Sequence, residues 1–141
     1  MQKISQEIQK KMASDWFKFL QKKICEEFQN IEIKFSKRKK IKSKYFKKKE
    51  WKKKNINQGG GIYYLLKNGE VFDKVGVNHS TVSGLFPKKF VSSIPGTKKN
   101  NSYWASGISV VAHMKNPKIP AMHFNTRFII TSKSWFGGGM D

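Results

Sequence analysis

Residues 105–128 read ASGISVVAHMKNPKIPAMHFNTRF, two β-prone runs on either side of a Pro-containing connection over 114–120. Side chains alternate across a strand, so residues two apart share a face. On the first run Ser109, Val111 and His113 point one way and Val110 and Ala112 the other. On the second, His123, Asn125 and Arg127 share a face, opposite Phe124, Thr126 and Phe128. If the two runs are antiparallel neighbours, their polar faces lie side by side. A hydroxyl, two imidazoles, an amide and a guanidinium then collect on one sheet surface, with apolar residues beneath. The same face reads alternatively as the ordinary wet side of a half-exposed sheet. Two histidines ten apart on a hairpin are also compatible with a metal site, although a third ligand is not evident.

Strand signals continue outward from this hairpin. Positions 62–66 and 71–82 are β-rich runs separated by Lys67-Asn68-Gly69-Glu70, and Asn-Gly predicts a type I′ turn because both residues tolerate positive φ. Gly59-Gly60-Gly61 reads as flexible backbone, not as a phosphate loop, since no Lys-Ser or Lys-Thr follows at the required spacing. Positions 87–102 form a polar loop. The run Trp135-Phe136-Gly137-Gly138-Gly139-Met140-Asp141 reads as an interior turn of a larger protein. Upstream, positions 4–30 predict an amphipathic helix, with Ile8, Met12, Trp16, Leu20, Ile24 and Phe28 at every fourth place and Phe17 and Cys25 widening the stripe.

Charge sets the second constraint. The chain has 29 basic and 9 acidic residues, a net charge of +20 and a pI near 10.1, which suits a polyanionic partner. Of the basic residues only Arg38 and Arg127 are Arg, whereas nucleic-acid readers lean on the bidentate guanidinium fork. Thirteen of the 21 residues over 34–54 are Lys or Arg. Like charges at that density predict a solvated connection, with a basic nucleic-acid-binding module as the competing reading. Eleven Phe, four Trp and four Tyr exclude wholesale disorder. No apolar run approaches the roughly 20 residues of a transmembrane helix. The first residues lack the apolar core of a secretory signal, and one cysteine permits no internal disulfide. These features predict a cytoplasmic protein.

The runs Gly59-Gly60-Gly61, NGEVFDKVGVNHSTVSG (68–84), ASGISVVAHMKNPKIPAMHFNTRF (105–128) and WFGGGMD (135–141) resemble the oxygen-dependent coproporphyrinogen III oxidases. The resemblance covers nearly the whole chain and is weakest over the Lys-rich stretch. It implies an α+β fold, a large, mostly antiparallel β-sheet flanked by helices, with about the first half present. Residues 1–141 are then a single incomplete domain: helix 4–30, Lys-rich connection 34–54 and a β-rich, site-bearing region 59–141. The family continues past WFGGGMD, so the chain reads as truncated. A degraded, non-functional fragment is a further reading.

The implied reaction is oxidative decarboxylation of two propionates of coproporphyrinogen III to vinyl groups, giving protoporphyrinogen IX in haem biosynthesis. Dioxygen is the co-substrate, no organic cofactor takes part, and a divalent cation is a possible addition. By position, Ser109 matches a substrate-binding serine, and Asn125, Thr126 and Arg127 a substrate-binding tripeptide. His113 and His123 match divalent-metal ligands, and His123 also the proton donor. Asp141 matches an aspartate that engages the pyrrole N–H groups. The expected catalytic set is His123, Arg127 and Asp141. The implied partners are the substrate and, in the full-length family, a second copy of the chain, with no specific nucleic acid. Two positions depart from the family pattern: His79 stands where an apolar residue is usual, and Met114 where Pro is common.

Overall fold

One long helix lies across one face of a six-stranded antiparallel sheet whose strands follow one another in sequence order. The computed structural model describes residues 5–141. The elements are α1 (Gln6–Arg38), β1 (Lys47–Lys52), β2 (Gly59–Lys67), β3 (Phe72–Leu85), β4 (Ser102–Met114), β5 (Met122–Ile130) and β6 (Ser134–Met140), with single 3-10 turns at Ile56–Gln58 and Lys88–Phe90. This is the expected α+β architecture with a large sheet. No helix among the described residues is long and apolar enough to cross a membrane.

Helix α1 starts where the Ser5 hydroxyl accepts the Ile8 N–H at 3.4 Å, with Glu7 in the first turn and Lys37 and Arg38 in the last, both signs matching the helix dipole. Ile4, the first position of the expected helix, lies outside the described residues. The other end runs past the expected position 30 to Arg38 and stops where Lys40 takes φ +56°. The apolar stripe also differs from expectation. Phe17 (1% exposed), Ala13 and Gln21 are buried, whereas Ile8, Met12 and Trp16 are more than half exposed. Every-fourth spacing drifts about 40° per step around a helix of 3.6 residues per turn. The stripe therefore leaves the sheet at one end, and Leu20, Ile24 and Phe28 pack against the core at the other.

Gln21 fixes the helix on the sheet, its amide donating to the Ile62 and Val77 carbonyls at 2.7 and 2.9 Å. The core beneath is Leu66, Val75, Val77, Ile108, Val110, Ala112, Phe128 and Ile130. Burying a side chain the size of Phe17 contributes about 2–3 kcal/mol.

Three local expectations are corrected. The basic stretch 34–54 is not merely a connection: its first residues finish α1, and Lys47–Lys52 pairs with β2, with Lys47 opposite Leu65 and Trp51 opposite Gly61. Lysines on an edge strand repel further pairing, which makes the charge compatible with a strand at this position. The segment 135–141 is not a turn. It forms edge strand β6, with Phe136 opposite Phe128 and their rings 4.8 Å apart. The β2–β3 turn has only Asn68 at positive φ (+53°), not both residues as type I′ requires. Its shape comes from elsewhere. Glu32 of α1 is fully buried, and its carboxylate accepts the N–H groups of Glu70, of Val71 at 3.0 Å and of Phe72 at 3.3 Å.

Candidate active site

The face of the sheet opposite α1 is organised as rows of residues that face one another across the strands. One row runs Tyr63, Asn78, Ser109, Asn125 and Gly139. Towards one end of β4 lies the row Gly61, Ser80, Gly107, Arg127 and Gly137. Towards the other end lies Leu65, Gly76, Val111 and His123, and beyond it Lys67, Lys74 and His113. The alternation expected of 105–128 is realised: Val110 and Ala112 are buried while Ser109 and His113 are exposed.

The two histidines meet. Their Nε2 atoms are 2.7 Å apart, with ring centroids 5.0 Å apart and ring planes 24° from parallel, so the rings meet edge to edge. At that distance one nitrogen donates and the other accepts. Asp141 follows β6 opposite His123, to which it is joined by backbone hydrogen bonds of 2.9 and 3.0 Å. Its carboxylate lies 3.9 Å from His123 Nδ1 and is 87% exposed, within ion-pair range but beyond a hydrogen bond. Two residues along β5, the Arg127 guanidinium donates to the Asn125 side-chain oxygen.

Ser109, His113, His123, Asn125, Arg127 and Asp141 therefore share one face. Thr126 does not: it faces Ile108 of the core across the β4–β5 ladder and alternates with its two neighbours. A groove of about 420 Å³ runs along the face beside Asn78, Ser80, Ser109, Asn125 and Arg127. Phe86 and Tyr103, stacked at 4.4 Å, bound one end of it.

Period-two alternation of 71–82 would have placed Asn78 on this face, but nothing local marks it. Its Oδ1 accepts the Trp51 indole N–H at 3.0 Å, a contact between β1 and β3 that passes over Gly61. A β-carbon at Gly61 would come within 2.8 Å of that indole nitrogen, so the glycine there admits the ring. The third histidine, His79, is on the opposite face and 5% exposed. It touches the Ser106 hydroxyl at 3.3 Å, and burial, then the Lys18 charge, holds its pKa below 6.5. It takes no part in the site.

The histidine pair does not suit a metal ion as arranged. A single ion bound at about 2.0–2.1 Å by each nitrogen holds them well over 3 Å apart at a tetrahedral angle, whereas these nitrogens are 2.7 Å apart, a hydrogen-bond distance. Among the described residues no group of three or more His, Cys, Asp or Glu is placed to hold a metal.

The open sheet face thus carries a guanidinium, amides, a hydroxyl and a hydrogen-bonded imidazole pair in a strongly basic chain, groups able to hydrogen-bond a carboxylate. Comparison with known proteins places it further. Residues 12–141 match the family described as coproporphyrinogen III oxidase, and the chain belongs to that family. It is 52% identical over 132 residues to the oxygen-dependent coproporphyrinogen-III oxidase of Rickettsia felis (strain ATCC VR-1525 / URRWXCal2), and 53% identical over 133 residues to that of Rickettsia typhi (strain ATCC VR-144 / Wilmington). Each match takes in 94% of this chain and 46% of the relative. The chain thus spans about half the length of these relatives.

Proposed function

We propose that this chain carries the substrate-binding face of an oxygen-dependent coproporphyrinogen III oxidase. The observation that supports it best is the assembly of Arg127, Asn125, Ser109 and the His113–His123 pair on one open face, in the rows described above. The substrate bears four propionates, and a planar guanidinium matches a carboxylate in two parallel hydrogen bonds where an ammonium offers a point charge.

Each of two propionates loses its carboxyl as carbon dioxide and one hydrogen from the carbon attached to the ring, leaving a vinyl group, and the two electrons released per vinyl reduce dioxygen. The electron-rich tetrapyrrole supplies the electrons itself, so the protein's share is orientation and proton handling without an organic cofactor. In this reading Arg127, kept in place by Asn125, anchors a propionate, and Ser109 hydrogen-bonds the same ligand. His123, with His113 as its proton partner, moves a proton at the reacting side chain. Asp141 accepts pyrrole N–H groups. No step is assigned to a metal, because the imidazoles fit a shared proton better than a shared ion. The cytoplasm as location and a homodimer for the full-length family belong to the same reading.

The test is binding of coproporphyrin III, the stable oxidised form of the substrate, by fluorescence titration. Arg127→Gln is expected to weaken binding about tenfold, the worth of a charge-assisted contact, with folding intact because the side chain is exposed. Unchanged affinity removes Arg127 from the site. Failure of the parent chain to bind at all removes the reading.

A further inference from the structure

The groove beside Arg127 does not end the concave surface. A second groove of about 470 Å³ continues from it across the sheet, and the two share Asn78 and Ser109. The far part of the second groove is lined by Lys67 and Lys74. These lysines are directly opposite one another in the β2–β3 ladder, and Lys74 is in turn opposite His113 of β4.

Two like charges directly opposite in adjacent strands destabilise a sheet. The cost is offset where a carboxylate sits between them, and here none does. Among the described residues neither lysine forms an ion pair, although both are exposed and three acidic residues, two on the hairpin and one on α1, lie near the turn. Glu70 pairs with Lys115 at 3.3 Å. Glu32 is buried and spends its oxygens on the backbone of the turn. Asp73 falls at the register shift between Phe72 and Lys74 and pairs with neither lysine. The turn is held from below by Glu32, so the lysine pair stands on a fixed part of the sheet, not on a loop.

We propose that Lys67 and Lys74 form a second carboxylate-binding subsite, which takes a propionate on the edge of the tetrapyrrole opposite the one held by Arg127. The inference rests on the functional reading above and extends it. The spacing suits a broad ligand. Arg127 faces Gly107 and Lys74 faces His113, six residues further along β4, which is about 20 Å along the strand direction at 3.3 Å per residue. Two strand spacings add about 10 Å across. Long, flexible side chains reaching inward from both ends shorten the gap to one that a macrocycle with carboxylates on opposite edges can bridge. A ligand with carboxylates on one edge alone engages one end. The subsite is thus a determinant of specificity for four carboxylates over two. It also places the carboxylate it holds next to His113 and the proton shared with His123.

The experiment compares the parent chain, the double variant Lys67→Gln/Lys74→Gln and the control Lys98→Gln/Lys99→Gln. The control loses the same charge from exposed positions in the loop between β3 and β4. Each is titrated with coproporphyrin III, which has four carboxylates, and with mesoporphyrin IX, which has two on one edge. The expected result is a preference for coproporphyrin III in the parent and the control, and its reduction by about tenfold in Lys67→Gln/Lys74→Gln. An undiminished preference in that variant, or an equal reduction in the control, overturns the subsite. If Arg127→Gln weakens binding while the lysine variant does not, the functional reading stands and the second subsite falls. No binding by the parent chain defeats both.

Discussion

The carboxylate of Glu32 occupies the space that a β-carbon on Gly69 would need: one built there would lie 2.7–2.8 Å from all three carboxylate atoms. Glycine at this turn is therefore dictated by the helix behind it, since only Asn68 takes a positive φ. The arrangement gives a buried charge the backbone N–H donors it needs and seats the hairpin that carries Lys67 and Lys74.

From this we predict that Glu32→Gln destabilises the fold by about 2–3 kcal/mol, because one carboxylate oxygen becomes an amide that cannot accept an N–H. Gly69→Ala is expected to cost a similar amount by forcing the carboxylate away. Chemical denaturation checks both. If the two losses add in the double variant Glu32→Gln/Gly69→Ala, the residues are not coupled and the account is wrong.

This contact also shows where the sequence is silent. The faces of β4 and β5 were legible because period two assigns every side chain once a pair is antiparallel, and a single register brings His113 to His123. Glu32 and Gly69 are far apart in the chain, and neither has a local pattern that points to the other. The phase of α1 departs from the sequence pattern for a geometric reason: an every-fourth stripe cannot stay on one side of a straight helix, so Trp16 turns outward while Phe17 is buried. Strand β6 was hidden by composition. Three consecutive glycines have the propensity of a turn, and only pairing with β5 makes them a strand. The same holds for Lys47–Lys52, where charge masked an edge strand.

Those glycines give a second prediction. Gly137 and Gly139 face the site beside Arg127 and Asn125, and a β-carbon on either meets nothing within 4 Å. One on Gly138 would lie 2.2 Å from the Asn125 carbonyl oxygen. Gly139→Ala should therefore leave the thermal midpoint almost unchanged, while Gly138→Ala lowers it. Gly139→Leu should fold yet weaken porphyrin binding, because its side chain projects over the face on which the ligand lies. Normal binding by Gly139→Leu would mean that the ligand does not lie across β6.

The burial of His79 predicts a fold that loses stability in acid. It is buried against the Ser106 hydroxyl, which also meets Thr81 at 3.0 Å, and Thr81 reaches Ser14 of α1 at 3.3 Å. Burial, reinforced by Lys18, lowers the folded-state pKa below 6.5. Between the folded and unfolded values the unfolded chain binds more protons, so stability rises with pH in that window. The contribution of a neutral His79 is fully present above about pH 6.5 and is lost as pH falls through the lower, folded value. We expect His79→Val, an apolar residue of strand-compatible shape, to flatten the decline in thermal midpoint between pH 7 and pH 5. A decline of equal slope in the variant would assign the acid sensitivity to other groups.

The last prediction concerns the basic stretch over 34–54. Its lysines are on the end of α1, the following link, edge strand β1 and the two positions after it, and apart from Lys53, which reaches Tyr103 at the end of the groove, they lie away from the groove residues beside Arg127. Exposed charges outside a site act through the long-range field, raising the association rate of an anion in a way that salt screens with a length of about 10 Å at 0.1 M. Replacing Lys34, Lys37, Lys39, Lys42, Lys44 and Lys54 with Gln removes six positive charges from exposed positions. The expected result is slower association of coproporphyrin III at low salt, a shallower dependence on ionic strength, and an unchanged dissociation rate. Binding of mixed-sequence DNA by the parent chain should fall steeply with added salt and be weakened further in the variant, as charge-only contacts require. The decisive measurement is porphyrin dissociation at moderate salt. An accelerated dissociation there would mean that these lysines touch the ligand and that the site extends to the segments flanking β1.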